Sequence, residues 1–114
     1  MAAAAAQLAL DIAASAIVVF TSSGVTAARV VRQRPSVPVL AFTPDEKVAH
    51  QMVLMWGIHS VHSKEMQSYE EMVDHARMQA MAEGFATPGG RILVVAGIPF
   101  GKSGTTNNLR VVDI

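Results

Sequence analysis

Two short stretches carry residue types that could hold an anion. Ala96 to Ser103 reads AGIPFGKS, a loose form of the phosphate-binding P-loop with Ala in place of the first Gly. That motif needs a strand before it and a helix behind it, so that backbone N–H groups cradle phosphate at the helix start. The apolar run Ile92 to Val95 supplies the strand. Gly104, Thr105, Thr106, Asn107 and Asn108 make a turn-rich segment instead of a helix, and Leu109 to Ile114 reads as a further short strand. Pro99 also removes a backbone donor. The stretch from Gly97 to Asn107 is therefore a strand–loop–strand connection, either a plain hairpin link or a cover for a ligand. Lys102, with Ser103 and Gly104 beside it, argues for the cover.

The second stretch is Thr21 to Thr26, TSSGVT, placed where a buried strand feeds a helix. In open α/β sheets ligands bind beyond the carboxyl ends of strands. Hydroxyls of Thr21, Ser22, Ser23 and Thr26 can converge there with the N–H groups of the helix start. Gly24 permits close approach, and the helix dipole favours negative charge. The plainer alternative is that Ser22 or Ser23 is simply an N-cap.

The other polar residues offer less. His59 and His62 flank a short strand, where a separation of three puts them on opposite faces, a poor geometry for sharing a metal. His50 and His75 fall on helices. Asp45, Glu46, Glu70, Glu71 and Asp74 read as helix-end or surface charges. No paired acid and base and no activated nucleophile can be assembled, so no catalytic residue and no metal site are expected.

These candidates need a frame to position them. Ala2 to Ala14 reads as a helix, alanine being the best helix former. Ala16 to Phe20 (AIVVF) and Pro38 to Phe42 (PVLAF) are continuous apolar runs, the pattern of strands buried on both faces. Val25 to Arg32 is a short helix ended by Arg34-Pro35, since proline disfavours helix in the residue before it. Thr43 can cap a helix over Asp45 to Met55, which Gly57 breaks before a strand at Ile58 to Val61. From Ser68 to Glu83, Tyr69, Met72, Val73, Ala76 and Ala80 recur at helical spacing. Ser68 and Glu71 form a capping box there, with Gly84 at the C-terminal end. The loop before Leu109 is too short for a parallel crossover, so the fifth strand should run antiparallel to the fourth. The expected fold is α/β: a three-layer open sheet of five strands, mostly parallel, with helices on both faces.

Composition sets the limits. The 114 residues suit a single domain, residues 1–114, that buries roughly 65% of its unfolded surface. Nine basic residues balance nine acidic ones, so the basic stripe of a nucleic-acid surface is missing. There is no Cys, which excludes disulfides and thiolate metal sites and accords with a reducing, cytoplasmic location. No apolar run reaches the roughly 18–20 residues of a membrane span. The apolar fraction of 51% is rich for a small soluble domain and points to two-sided burial or an oligomer interface.

Taken in order, TSSGVTA, RPSVPVLAFT, AHQM, WGI and VVAGIPFGKSGTTN with Arg110 and Val111 after it resemble the C-terminal domain of pyruvate kinase, from about Ala2 to Ile114. The most specific parts are Thr21-x-Ser23-Gly24-x-Thr26-Ala27, Arg34-Pro35 and Gly104-Thr105-Thr106-Asn107. The resemblance implies a five-stranded sheet whose last strand is antiparallel, a site for a sugar-phosphate or nucleotide effector, and a share in an oligomer interface. Catalysis in that family belongs to a separate barrel domain, which binds phosphoenolpyruvate, ADP, Mg²⁺ and usually K⁺. The chain then corresponds to an excised fragment or a free-standing regulatory domain, without phosphotransfer or cofactors of its own.

Residue by residue, Thr21, Ser23, Gly24 and Thr26 match the family's effector-phosphate cradle, and Lys102, Ser103 and Gly104 fall in the loop that closes over the effector. Ser22 stands where fructose-bisphosphate-regulated members carry Lys. The Trp and Arg that hold a second phosphate in those members align near Glu65 and Met72, which cannot do so. A sugar monophosphate or AMP is thus the expected effector. Strand 109–114, as a sheet edge, is the expected homo-oligomer contact. The alternative is a dimerisation domain whose effector site has decayed.

Overall fold

The computed structural model describes residues 2–64, 68–96 and 108–114. Its elements run α1 (Ala2–Asp11), β1 (Ala16–Phe20), α2 (Val25–Arg32), β2 (Val39–Thr43), α3 (Glu46–Val53), β3 (Ile58–His62), α4 (Tyr69–Ala82), β4 (Arg91–Ala96) and β5 (Asn108–Asp113). The five strands form one sheet in the order β3-β2-β1-β4-β5. All neighbours are parallel except β4 and β5, which pair antiparallel with Arg91 opposite Asp113 and Val95 opposite Leu109. The α/β architecture expected from the sequence is the one observed.

Strand β1 lies at the centre, and its apolar run is divided between two cores. Ala16 and Val18 join a cluster with Leu40, Phe42, Ile92, Val94 and the α4 residues Met72, Val73, Ala76 and Ala80. Ile17 and Val19 face the other way, with Val39, Ala41, Leu93 and Val95 beneath Ala5 and Ala9 of α1, Ala27 and Val30 of α2, and Met52 of α3. Alternation along a strand sends successive side chains to opposite faces, so a run apolar at every position requires cover on both. Full burial of one Val or Ile is worth about 1.5–3 kcal/mol, and Ile17, Val18 and Val19 are all completely buried. Helix α4 covers one face and the three shorter helices the other.

Two helix boundaries differ from the sequence reading. Helix α1 stops at Asp11 rather than Ala14. Ala13 takes a left-handed conformation (φ 53°), and the Ala14 N–H returns to the Ala9 carbonyl at 2.9 Å while the Ala13 N–H reaches that of Leu10 at 3.2 Å. That is a Schellman closure, normally built on Gly. Helix α3 is capped by Asp45, not Thr43: the Asp45 carboxylate accepts from the N–H groups of Lys47 and Val48 at 2.8 and 3.3 Å. The expected cap of α4 is present, Ser68 Oγ accepting from the Glu71 N–H at 3.1 Å. Its other end closes through Gly84 (φ 77°), with the Phe85 N–H on Ala80 O at 2.9 Å.

The connections create a switch point. From β1 the chain passes through α2 to β2 on one side, and it returns through α4 to β4 on the other. Strand β1 therefore stands at the topological switch point of the sheet, the place beyond the strand ends where ligands bind in open α/β folds.

Candidate functional site

The turn after β1 lies at this switch point. The Thr21 N–H donates to Phe42 O at 2.9 Å, extending the β1–β2 ladder by one bond. The Thr21 side chain is buried, and its Oγ1 accepts from the Gly24 N–H at 2.9 Å. This bond folds the backbone back on itself over three residues. Gly24 then occupies the N-cap position of α2 at φ 86° and ψ −8°, and its carbonyl accepts the first helical N–H, from Ala28, at 3.0 Å. A Cβ on Gly24 would be strained by that φ and would meet Val48 Cγ1 at 3.3 Å and Met52 Cγ at 3.6 Å. The glycine is therefore required both by the turn and by the pressure of α3.

The sequence-level alternative, Ser22 or Ser23 as N-cap, is not what the structure shows. Gly24 holds the N-cap position and contributes no side chain, and the Ser23 Oγ, one residue before it, accepts from the Val25 N–H in a long bond of 3.4 Å. Ser22 and Ser23 are exposed, and Thr26 is half-buried in the first turn of α2. That turn contains no acidic residue. Its N–H groups have no intrahelical acceptors, and the turn itself brings no carboxylate to the positive end of the helix dipole. Thr21, Ser22, Ser23, Gly24 and Thr26 are thus brought together in one strand-to-helix turn. Lys102, Ser103 and Gly104 lie outside the described residues.

The remaining polar residues are engaged elsewhere. His59 Nε2 lies 3.1 Å from Glu83 Oε2 and its ring packs edge-on against Phe85; His62 Nε2 lies 3.1 Å from Pro44 O. Lys64 pairs with Glu71 at 3.2 Å. No group of three or more His, Cys, Asp or Glu able to hold a metal occurs among the described residues. Met72 is fully buried in the core beneath α4 and offers nothing to a phosphate. Glu65 lies outside the described residues. Among the described residues, no helix is long and apolar enough to cross a membrane.

One feature went unread in the sequence. Thr26 also lines a cavity of about 410 Å³ between α1, α2 and the end of β4, together with Arg29, Val30, Arg32 and Val95. The two arginines sit on α2. Their spacing of three from one another, and of three from Thr26 to Arg29, is the available signal.

Comparison with known proteins agrees with this architecture. The family model described as "Pyruvate kinase, alpha/beta domain" matches residues 1–112. Two pyruvate kinases of Agrobacterium vitis are 44% and 49% identical to the chain over 114 and 111 residues, covering 100% and 97% of it. A pyruvate kinase of Clostridium acetobutylicum is 41% identical over 103 residues, 90% of the chain. The chain spans only 24%, 23% and 22% of these three relatives, about a quarter of their length. With the model covering nearly the whole chain and the sheet ending in the expected antiparallel strand, the chain belongs to the pyruvate kinase α/β domain family and corresponds to the C-terminal domain of those enzymes rather than to the catalytic one.

Proposed function

We propose that this chain is a regulatory and assembly domain of a pyruvate kinase and binds a phosphorylated metabolite at the turn Thr21 to Thr26. The observation that carries the reading is the glycine N-cap of α2. Helices α3 and α4 each begin with an N-cap side chain that accepts from their first-turn N–H groups; the N-cap of α2, Gly24, has no side chain to do so. A phosphate at that position would receive the first-turn N–H groups and the hydroxyls of Ser22, Ser23 and Thr26. Hydrogen bonds to a charged group contribute about 1.5–3 kcal/mol each. Two or three of them support affinities of roughly micromolar to millimolar.

The ligand class is a sugar monophosphate or AMP. Ser22 supplies no cation to the cradle, and Met72 is committed to the core. Lys102 and the loop around it serve as the cover. The ligand acts by biasing a quaternary equilibrium, which requires that it bind the alternative assemblies with different affinity. The assembly contact is β5, a sheet edge paired among the described residues only with β4 and carrying a partly exposed Val111. On this reading the domain works in the cytoplasm, beside the metabolites it senses.

Isothermal titration of the 114-residue chain with a hexose monophosphate and with AMP tests the site. Binding should disappear in the Ser23→Ala, Thr26→Ala double variant. Undiminished binding by that variant rules the assignment out. A second reading, assembly without a ligand, is favoured by the open edge of β5. It predicts dimerisation in sedimentation velocity with no heat from either metabolite.

A further inference from the structure

The cavity beside the turn has a chemistry of its own. Thr26, Arg29, Val30 and Gln33 line it at spacings of three, one and three, one continuous stripe along α2. From Thr26 to Gln33 such a stripe is about 10 Å long, at 1.5 Å per residue. Val30 and Val95 line it from below, with Ala2 and Ala3 of α1 beside them, so the lining away from the arginines is largely apolar. Arg29 and Arg32 stand at its wall and are exposed. None of the lining residues is acidic, and neither arginine forms an ion pair among the described residues. An apolar floor, a volume in the range of small-ligand sites and a few polar groups at the wall are the usual features of such a site. Guanidinium groups match carboxylate and phosphate oxygens in pairs.

We propose that this cavity is a binding site for a small organic oxyanion, whose carboxylate or phosphate is received by Arg29 and Arg32 while its body rests on Val30 and Val95. The Thr26 hydroxyl marks the border with the turn, so a ligand here abuts the phosphate position without depending on it. The site stands or falls separately from the turn, because its charged contacts come from the side chains of Arg29 and Arg32 and not from the start of α2.

The test is titration of the 114-residue chain, followed by methyl NMR of Val30 and Val95, with two probes: succinate for the carboxylate and ribose 5-phosphate for the phosphate. The site predicts that at least one probe shifts both methyl signals, and that the effect weakens with added salt. The Arg29→Gln, Arg32→Gln variant, which keeps good helix formers on an exposed face, should bind that probe at least tenfold more weakly with an unchanged circular dichroism spectrum. The Ser22→Ala, Ser23→Ala variant should leave the Val30 and Val95 shifts in place. If neither probe moves those methyls at millimolar concentration, or if the arginine variant binds as the parent does, the cavity site is overturned. Loss of binding only in the serine variant would overturn it while leaving the turn intact as a phosphate site.

Discussion

Two strand-to-helix turns leave the same edge of the sheet from neighbouring parallel strands, and they are finished in opposite ways. After β2, Thr43 is wholly buried and its Oγ1 receives the Asp45 N–H at 3.2 Å; Asp45 then places its carboxylate over the first N–H groups of α3. After β1, Thr21 is likewise buried and its Oγ1 receives the Gly24 N–H at 2.9 Å, but the next position holds no side chain at all. The first helix carries its own anion. The second has the same scaffold, a glycine in place of the acid, and an N-terminus able to accept an anion from outside. Helix starts favour negative charge whichever molecule supplies it, so the turn after β2 meets that preference from within the chain, and the turn after β1 is where the proposed ligand would meet it.

The largest expected effect comes from filling the open turn. In Gly24→Ala the left-handed conformation alone costs about 1–2 kcal/mol, and the new methyl crowds Val48. A total near 2 kcal/mol lowers the melting temperature by roughly 8 °C for a chain of this size, read by circular dichroism. Gly84→Ala is the matched control: its φ is 77°, but no atom lies within 4 Å of the added Cβ, so it should cost less. Equal losses in the two variants would show that Val48 and Met52 do not press on the turn.

Next comes Thr21→Val. It removes the acceptor of a buried N–H, a loss of about 1–2 kcal/mol, and it frees the backbone to leave the conformation that presents Ser22 to Thr26. Metabolite binding should weaken along with stability in urea. Asp45→Ala should cost about 1 kcal/mol through loss of the cap and leave metabolite binding unchanged. If Asp45→Ala altered binding as much as Thr21→Val did, the division of labour between the two turns would be wrong.

Much of this frame is legible in the sequence because its strands are apolar at every position. AIVVF and VVA could only be covered on both faces, and the length of the loop before Leu109 dictated the antiparallel edge. The helix ends were harder. Nothing local to Ala13 stops a helix; its closure is set where Ala14 docks into the core beside Ala9. Thr43 and Asp45 are both good capping residues, and only burial of the threonine decides between them. At TSSGVT the strand-to-helix turn is readable but its construction is not. The serines looked like caps, whereas Gly24 holds the cap position because α3 packs against it. The cavity at Arg29 and Arg32 was hidden for a similar reason. It depends on where α1 and β4 lie relative to α2, which the stripe on α2 does not encode.

The smallest change in stability gives the sharpest test of the comparison. Ser23→Asp would give the turn after β1 what the turn after β2 already has, a carboxylate beside its first N–H groups. Ser23 is exposed, so the substitution disturbs no packing. The charge at the start of α2 should stabilise by roughly 0.3–1 kcal/mol at low ionic strength, a rise of a few degrees at most. The same carboxylate would occupy the donors a phosphate needs and repel its charge. Binding of a sugar monophosphate or AMP should therefore be lost from a protein slightly more stable than its parent. Loss of function through misfolding produces the opposite correlation, so this pairing separates the two causes. Retained binding in a stabilised Ser23→Asp protein would mean that the phosphate does not sit at the start of α2, and that its glycine-capped N-terminus serves the fold alone.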